Sequence, residues 1–124
     1  MNPLAWAAFL VAAGIGAPGR YLLDGWIQDR TSGAFPWGTF TVNVTGCLAL
    51  GLLAGLGLYH DLGTTARTVL GTGGLGAYTT FSTLTFETVR LAEEGTVDEA
   101  VRNAAASLLV GLAAVSAGLA LTAL

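Results

Sequence analysis

Long runs without a single charged residue dominate this chain and limit what it can fold into. Three such runs cover residues 31–59, 68–86 and 103–124. Each is close to or longer than the roughly 20 residues that a helix needs to cross the hydrocarbon core of a bilayer. Only 10% of all residues are charged, against about 25% in a typical soluble domain. The sequence therefore predicts an integral membrane protein.

The remaining apolar run lies near the amino terminus and carries one charge, Arg20. We expect an all-α protein with a single membrane domain over residues 1–124, whose four helices span about 3–24, 36–59, 67–94 and 101–123. The net charge of −3 comes without a basic patch, so nothing suggests nucleic acid as a partner. The five basic residues are arginines divided almost evenly between the two sides, which is too little bias to fix an orientation. A chain of this kind is expected to insert both ways.

The third span has the wrong composition for a plain membrane helix. Four glycines weaken helix formation, each by up to about 1 kcal/mol relative to alanine, and hydroxyl side chains follow them: Gly71, Gly73, Gly74, Gly76, then Thr79, Thr80, Ser82, Thr83 and Thr85. One interpretation is a helix that breaks, as in transporters and channels that bind ions at the break. The other is a glycine-rich face that packs against a neighbouring helix. Composition alone leaves both open.

Small and polar residues also recur along the second and fourth spans. Thr39, Asn43 and Cys47 share one face of the second span, and Gly51 and Gly55 continue it. Asn103, Ser107 and Gly111 do the same on the fourth span. The glycines, and Cys47 as a small apolar side chain, favour close packing. An amide deep in lipid needs partners, so Asn43 either lines a pore or bonds to another helix.

Counting residues from the ends of the spans places Asn43, Phe81 and Ser107 at a similar depth. Arg20 and Glu87 approach the same side of the membrane from the first and third spans. Each charge alone would be costly there, so they either form an ion pair or extend separately to the headgroups.

These residues match known motifs. Residues 16–21 (GAPGRY) resemble an element G-A-x-x-R-[YW], and residues 35–46 (FPWGTFTVNVTG) resemble P-x-G-T-x-x-V-N-x-x-G. Residues 75–83 (LGAYTTFST), followed by Glu87, resemble G-G-x-T-T-F-S-T-F-x-x-E. All three belong to the Fluc/CrcB family of fluoride channels, and they fall in order on three of the four spans. The fourth span adds little to the resemblance.

The resemblance implies a fluoride-selective channel that lets cytoplasmic fluoride leave a prokaryotic cell passively through its plasma membrane. It implies an antiparallel, dual-topology dimer with two narrow pores, and no enzyme activity. Pore residues carried over from the motifs are Asn43, Phe81, Thr39 and Thr83, with Ser107 as a weaker match. A structural sodium ion on the dimer axis would be bound by the backbone carbonyls of Gly76 and Thr79. Arg20 and Glu87 would be structural or lie at a vestibule.

One departure from the family pattern concerns the pore. The family has a second phenylalanine three residues after the first, where this chain has Leu84. Phe86 cannot replace it, because a shift of two residues turns it about 200° around the helix. Asn103 also stands where some members have an aromatic residue. We expect a homodimer, and a heterodimer with a related subunit remains open.

Other classes of membrane protein remain alternatives. A small, dual-topology multidrug exporter coupled to protons needs a carboxylate deep in its first helix, and the first span has none before Asp24. A noncatalytic assembly subunit would use the same glycine stripes. A membrane enzyme would need a base beside Ser82 or Cys47, and His60 lies near a loop.

Overall fold

Three long helices form over the amino-terminal apolar run and over two of the three uncharged runs, residues 31–59 and 103–124. The computed structural model describes all residues, Met1–Leu124, and contains helices without any strand. Helix α1 covers Pro3–Gln28, α2 covers Trp37–Tyr59 and α6 covers Val97–Thr122. All three are long and apolar enough to cross a membrane. The expected all-α membrane architecture is confirmed at this level.

The long helices extend beyond the uncharged runs because charged residues fit into their terminal turns. Helix α6 begins at Val97, earlier than expected, with Asp98 and Glu99 in its first turn, where the helix dipole favours negative charge. Helix α1 starts after Asn2, whose Oδ1 accepts a hydrogen bond of 2.8 Å from the Ala5 amide, and it continues past residue 24 to Gln28. The predicted bounds of these two helices were therefore too short.

The third span is a rod made of several segments. It consists of α3 (Thr64–Arg67), a π-helical segment (Thr68–Leu75), α4 (Gly76–Tyr78) and α5 (Phe81–Glu93). Thr79 and Thr80 have extended backbone angles and separate α4 from α5. The predicted break is thus confirmed, but the glycines before it remain helical. They widen the helix to π geometry, in which the Gly76 amide bonds to the Gly71 carbonyl.

Glycines allow the helices to approach one another closely. A Cβ atom on Gly51 of α2 would overlap the Val115 carbonyl oxygen of α6, and one on Gly118 would overlap the Leu48 carbonyl oxygen. The packing interpretation of these two stripes is therefore confirmed. Helix α1 approaches the π-helical segment in the same way, since a Cβ atom on Gly16 would overlap the Gly74 carbonyl oxygen. Backbone contacts of this kind determine how the helices pack around the break.

Large apolar side chains cover the outer faces of α1 and α6. They include Leu4, Leu10, Ile15, Leu109 and Leu121, all of which are exposed. Exposed apolar surface on this scale would be costly in water. It is the surface expected of helices that contact lipid or another copy of the chain.

Candidate functional site

The break between α4 and α5 is held open by Asn43 of α2. Its Nδ2 donates a hydrogen bond of 2.8 Å to the Thr80 carbonyl, and its Oδ1 accepts one of 2.8 Å from the Thr80 amide. In a continuous helix the Thr80 amide would bond to the Gly76 carbonyl instead. Asn43 therefore satisfies the backbone that the break leaves without helical partners. Of the two roles open for this residue, the structure shows the helix-bonding one.

Thr80 starts helix α5 from the other side of the break. Its Oγ1 accepts a hydrogen bond of 3.2 Å from the Thr83 amide and donates one of 2.9 Å to Thr83 Oγ1. Such a side-chain cap satisfies an amide that a helix start would otherwise leave unpaired. The sequence alone did not indicate this role of Thr80. The available signal was a hydroxyl residue immediately before Phe81, where apolar residues resume.

A glycine on α2 makes room for the break. A Cβ atom on Gly46 would overlap Thr79 Cγ2 and lie 3.5 Å from a ring carbon of Tyr78. Thr45, beside it in sequence, contacts the same segment through a hydrogen bond of 2.8 Å between its Oγ1 and Tyr78 Oη. The break thus packs against α2 at Gly46 and is bonded to that helix by Asn43 and by Thr45.

A groove of about 810 Å³ opens beside the break. Asn43, Phe81 and Ser107 come from α2, α5 and α6 and all line this groove. Phe81 projects from the start of α5 and is 78% exposed. The three residues that the sequence placed at a similar depth therefore lie around one groove. Leu84 also lines the groove, whereas Phe86 does not.

Helix α6 carries polar atoms without partners in the chain. Ser107 lines the groove, and its Oγ makes no hydrogen bond. One turn earlier Asn103 is fully buried and does not line the groove; its Nδ2 donates to Thr88 Oγ1 at 2.9 Å, while its Oδ1 is unpaired. Unpaired buried polar groups are unusual in folded proteins. On the groove wall, Ser107 is therefore the α6 side chain that can bond to water or an ion.

Thr39 and Thr83 do not line this groove. They face a separate polar cavity of about 230 Å³, which we call the inner cavity, together with Arg20, Asp24 and Thr80. Thr39 is only 4% exposed. Thr80 lines both spaces, so the residue that follows the break forms the wall between them. The expected pore residues are therefore divided between two spaces.

Arg20 and Glu87 do not form the ion pair considered above. Arg20 Nη1 donates to the Thr79 carbonyl oxygen at 3.3 Å, because α1 runs past the end of α4. Glu87 pairs instead with Arg90 of its own helix, with 2.6 Å between Glu87 Oε2 and Arg90 Nη2. A partner one turn away is closer than one on another helix. Glu87 and Arg90 line a third cavity of about 570 Å³, the outer cavity, with Asp24, Thr39 and further residues.

The two carbonyls expected to bind sodium differ in their surroundings. The Gly76 carbonyl has lost its helical partner, since the Thr80 amide bonds to Asn43. The Thr79 carbonyl accepts the weak bond from Arg20. Both residues line the groove. Two carbonyl oxygens freed at a break are suitable ligands for a hard cation.

Comparison with known proteins gives a consistent result. The family described as "CrcB-like protein, Camphor Resistance (CrcB)" matches residues 7–119. The chain is 47% identical over 113 residues to "Fluoride-specific ion channel FluC 1" of Streptomyces avermitilis, covering 91% of each chain. It is 49% identical over 118 residues to the protein of the same name from Rubrobacter xylanophilus, covering 95% of this chain and 93% of that one. A Leifsonia xyli protein, also of that name, is 42% identical over 119 residues, covering 96% and 87%.

Proposed function

Because the chain belongs to the CrcB family, we propose that it is a fluoride-selective channel that lets cytoplasmic fluoride leave the cell passively. The observation that carries this proposal is the groove in which Asn43, Phe81 and Ser107 meet beside a helix break. Its relatives are named fluoride-specific ion channels. These names do not favour a multidrug exporter or an assembly subunit. The chain is a multi-pass membrane protein, and its place is the plasma membrane of a prokaryote.

The groove offers an anion contacts that are weak enough to release it. The edge of an aromatic ring carries partial positive charge, so the exposed Phe81 ring can contact fluoride through its edge. The unpaired Ser107 hydroxyl can replace part of the hydration shell. A channel must bind its ion well enough to admit it and weakly enough to let it go. Polarised C–H and O–H groups meet this requirement better than a fixed cation in the groove.

The groove is open on one side, and a second copy is the partner that would close it. An antiparallel, dual-topology dimer would give two pores related by symmetry. The weak asymmetry of arginines supports insertion in both orientations. Identical subunits would place Leu84 in both pores. If the natural assembly is a heterodimer, this chain alone should conduct poorly and recover when co-expressed with a related subunit that has phenylalanine at this position.

A sodium ion at the dimer axis is the cofactor that we propose. The Gly76 and Thr79 carbonyls of one copy would supply two ligands, and a second copy would double them. The Arg20 guanidinium beside Thr79 opposes a cation, so the full set of carbonyls is needed. When bound, the ion would hold the two copies together by linking their breaks. It would not carry current.

Exchange of sodium tests this site. In detergent, replacing sodium by N-methylglucamine should lower the temperature at which the dimer dissociates. Gly76→Val should weaken the dimer in the same way. A Cβ atom at Gly76 would meet only the Gly71 carbonyl oxygen, at 3.7 Å, so alanine fits at this position within one copy. Gly76→Ala is therefore the control that separates local crowding from loss of the cation. Normal assembly and flux by Gly76→Val, with no effect of sodium, would rule the site out.

Anion efflux from liposomes tests the function itself. Vesicles loaded with potassium fluoride should release fluoride once potassium can leave through an ionophore, and vesicles loaded with potassium chloride should not. No proton gradient or nucleotide should be needed, because a membrane potential of 100 mV supplies about 2.3 kcal/mol per charge. Equal chloride release, or a requirement for a proton gradient, would refute the channel.

A further inference from the structure

The inner and outer cavities share one acidic lining residue, Asp24. It lies on α1, one turn after Arg20, and lines both cavities. Thr39 is the other residue common to the two. An ion in either cavity therefore lies near the Asp24 side chain.

Asp24 has no partner for its charge. It makes no ion pair within 4.0 Å, since the three ion pairs of the chain join Arg90 to Glu87 and Glu94, and Arg102 to Glu99. It also accepts no side-chain hydrogen bond among those that the chain forms. Its carboxylate occupies the space that a Cβ atom on Gly38 would fill. Gly38 lies in the first turn of α2, where the helix dipole favours negative charge.

The two cavities differ in the ratio of acidic to basic side chains that line them. In the outer cavity four acids face a single base, Arg90; the acids are Asp24, Asp29, Glu87 and Glu94. In the inner cavity Arg20 is the only base, and Asp24 is the only acid. Without Asp24, the positive charge of Arg20 would act on the inner cavity without opposition. With it, the cavity is close to neutral.

We propose that Asp24 sets the affinity of the inner cavity for fluoride by offsetting the charge of Arg20. The proposal rests on the proposed fluoride channel. A bare guanidinium in a small cavity would bind fluoride tightly and release it slowly, whereas conduction needs a site that the ion can leave. A carboxylate one turn away lowers that affinity without blocking access. Through its charge, Asp24 therefore sets how tightly the inner cavity binds fluoride and how fast it releases the ion.

Asp24→Asn tests this role, because the amide keeps the shape and removes the charge. The concentration of fluoride that gives half-maximal efflux from liposomes should fall about fivefold, the size expected for one charge several ångströms from the ion in a hydrated cavity. The maximal flux should not rise. Asp24→Glu should restore the wild-type value. The shift should shrink at high ionic strength, because salt screens charges in water-filled spaces; a purely structural effect would not.

Asp29→Asn is the matched control. It removes the same charge from the same helix end, but Asp29 lines only the outer cavity, so its shift should be clearly smaller. If Asp24→Asn fails to assemble, Asp24→Ser removes the charge in less space and carries the same expectation. Suppose that Asp24→Asn conducts but its half-maximal fluoride concentration shifts no further than that of Asp29→Asn. That result would overturn this inference and leave the proposed function intact. A wild-type chain that releases no fluoride would overturn the proposed function and this inference with it.

Discussion

Asn43 replaces, with one side chain, the backbone contacts that the third rod loses where it breaks. Its amide pairs with both the amide and the carbonyl of Thr80, as a neighbouring strand would. A buried polar group left unpaired costs about 1–3 kcal/mol, and the break would expose two of them to an apolar surrounding. The geometry of the groove therefore depends on this residue even before any ion is considered.

Replacing Asn43 should destabilise the break. Asn43→Ala leaves the Thr80 amide and carbonyl without partners, so we expect a loss of about 1–3 kcal/mol in stability for each group and loss of fluoride flux. Thermal unfolding in detergent and liposome efflux measure the two effects. Cys47→Ala is the control, because Cys47 lines the same groove one turn later and makes none of these bonds. Equal stability of the two variants would show that the amide does not hold the break.

At the residue scale the sequence indicated the site but not every role within it. The motif residues Asn43 and Phe81 both line the groove, because Asn43 bonds to Thr80, the residue directly before Phe81. The sequence left an Arg20–Glu87 ion pair open as one of two alternatives; the pair does not form, because Arg90 on the same helix pairs with Glu87. The role of Thr80 as the N-cap of α5 could not be predicted without knowing where the third span breaks. That position depends on contacts with α2, which are not local in sequence.

At the scale of elements, the π-helical segment explains how four glycines precede the break without forming it. Glycine lowers helix propensity, but composition alone did not say where the interruption would fall. The structure places it at Thr79 and Thr80. The glycines permit close packing, with Gly16 of α1 against the Gly74 carbonyl, and this packing stabilises the wider helix. Tertiary contacts therefore decide where a weak helix ends.

Gly16→Ala should disturb this contact between α1 and the third rod. Its Cβ atom would overlap the Gly74 carbonyl oxygen and lie 3.2 Å from the Tyr78 amide nitrogen; these backbone atoms cannot move aside without shifting the break. We expect lower stability, by about 1–3 kcal/mol, and reduced flux. On the same helix Gly14 meets nothing within 4 Å. Gly14→Ala should be neutral or stabilising, and an equal loss in both variants would contradict the account.

At the scale of the whole molecule, hydropathy predicted most of the fold. Charge-free runs identified the membrane helices because a bilayer admits few other structures. The extra turns of α1 and α6 were missed because charged residues are acceptable at helix ends near the headgroups. The residues alone did not predict a second copy beside the open groove; only the family resemblance implied one. The exposed side chain of Phe81 supports the proposal that a second copy covers the groove.

The claim at the centre of this account is that fluoride passes beside the break through contact with the ring of Phe81. The most direct measurement is fluoride efflux from liposomes containing the wild-type chain, Phe81→Ile or Leu84→Phe. Isoleucine fills similar space without the positive ring edge, so Phe81→Ile should abolish flux. Leu84→Phe adds an aromatic edge to the same groove and should preserve or increase it. Full fluoride-selective flux from Phe81→Ile would contradict the account.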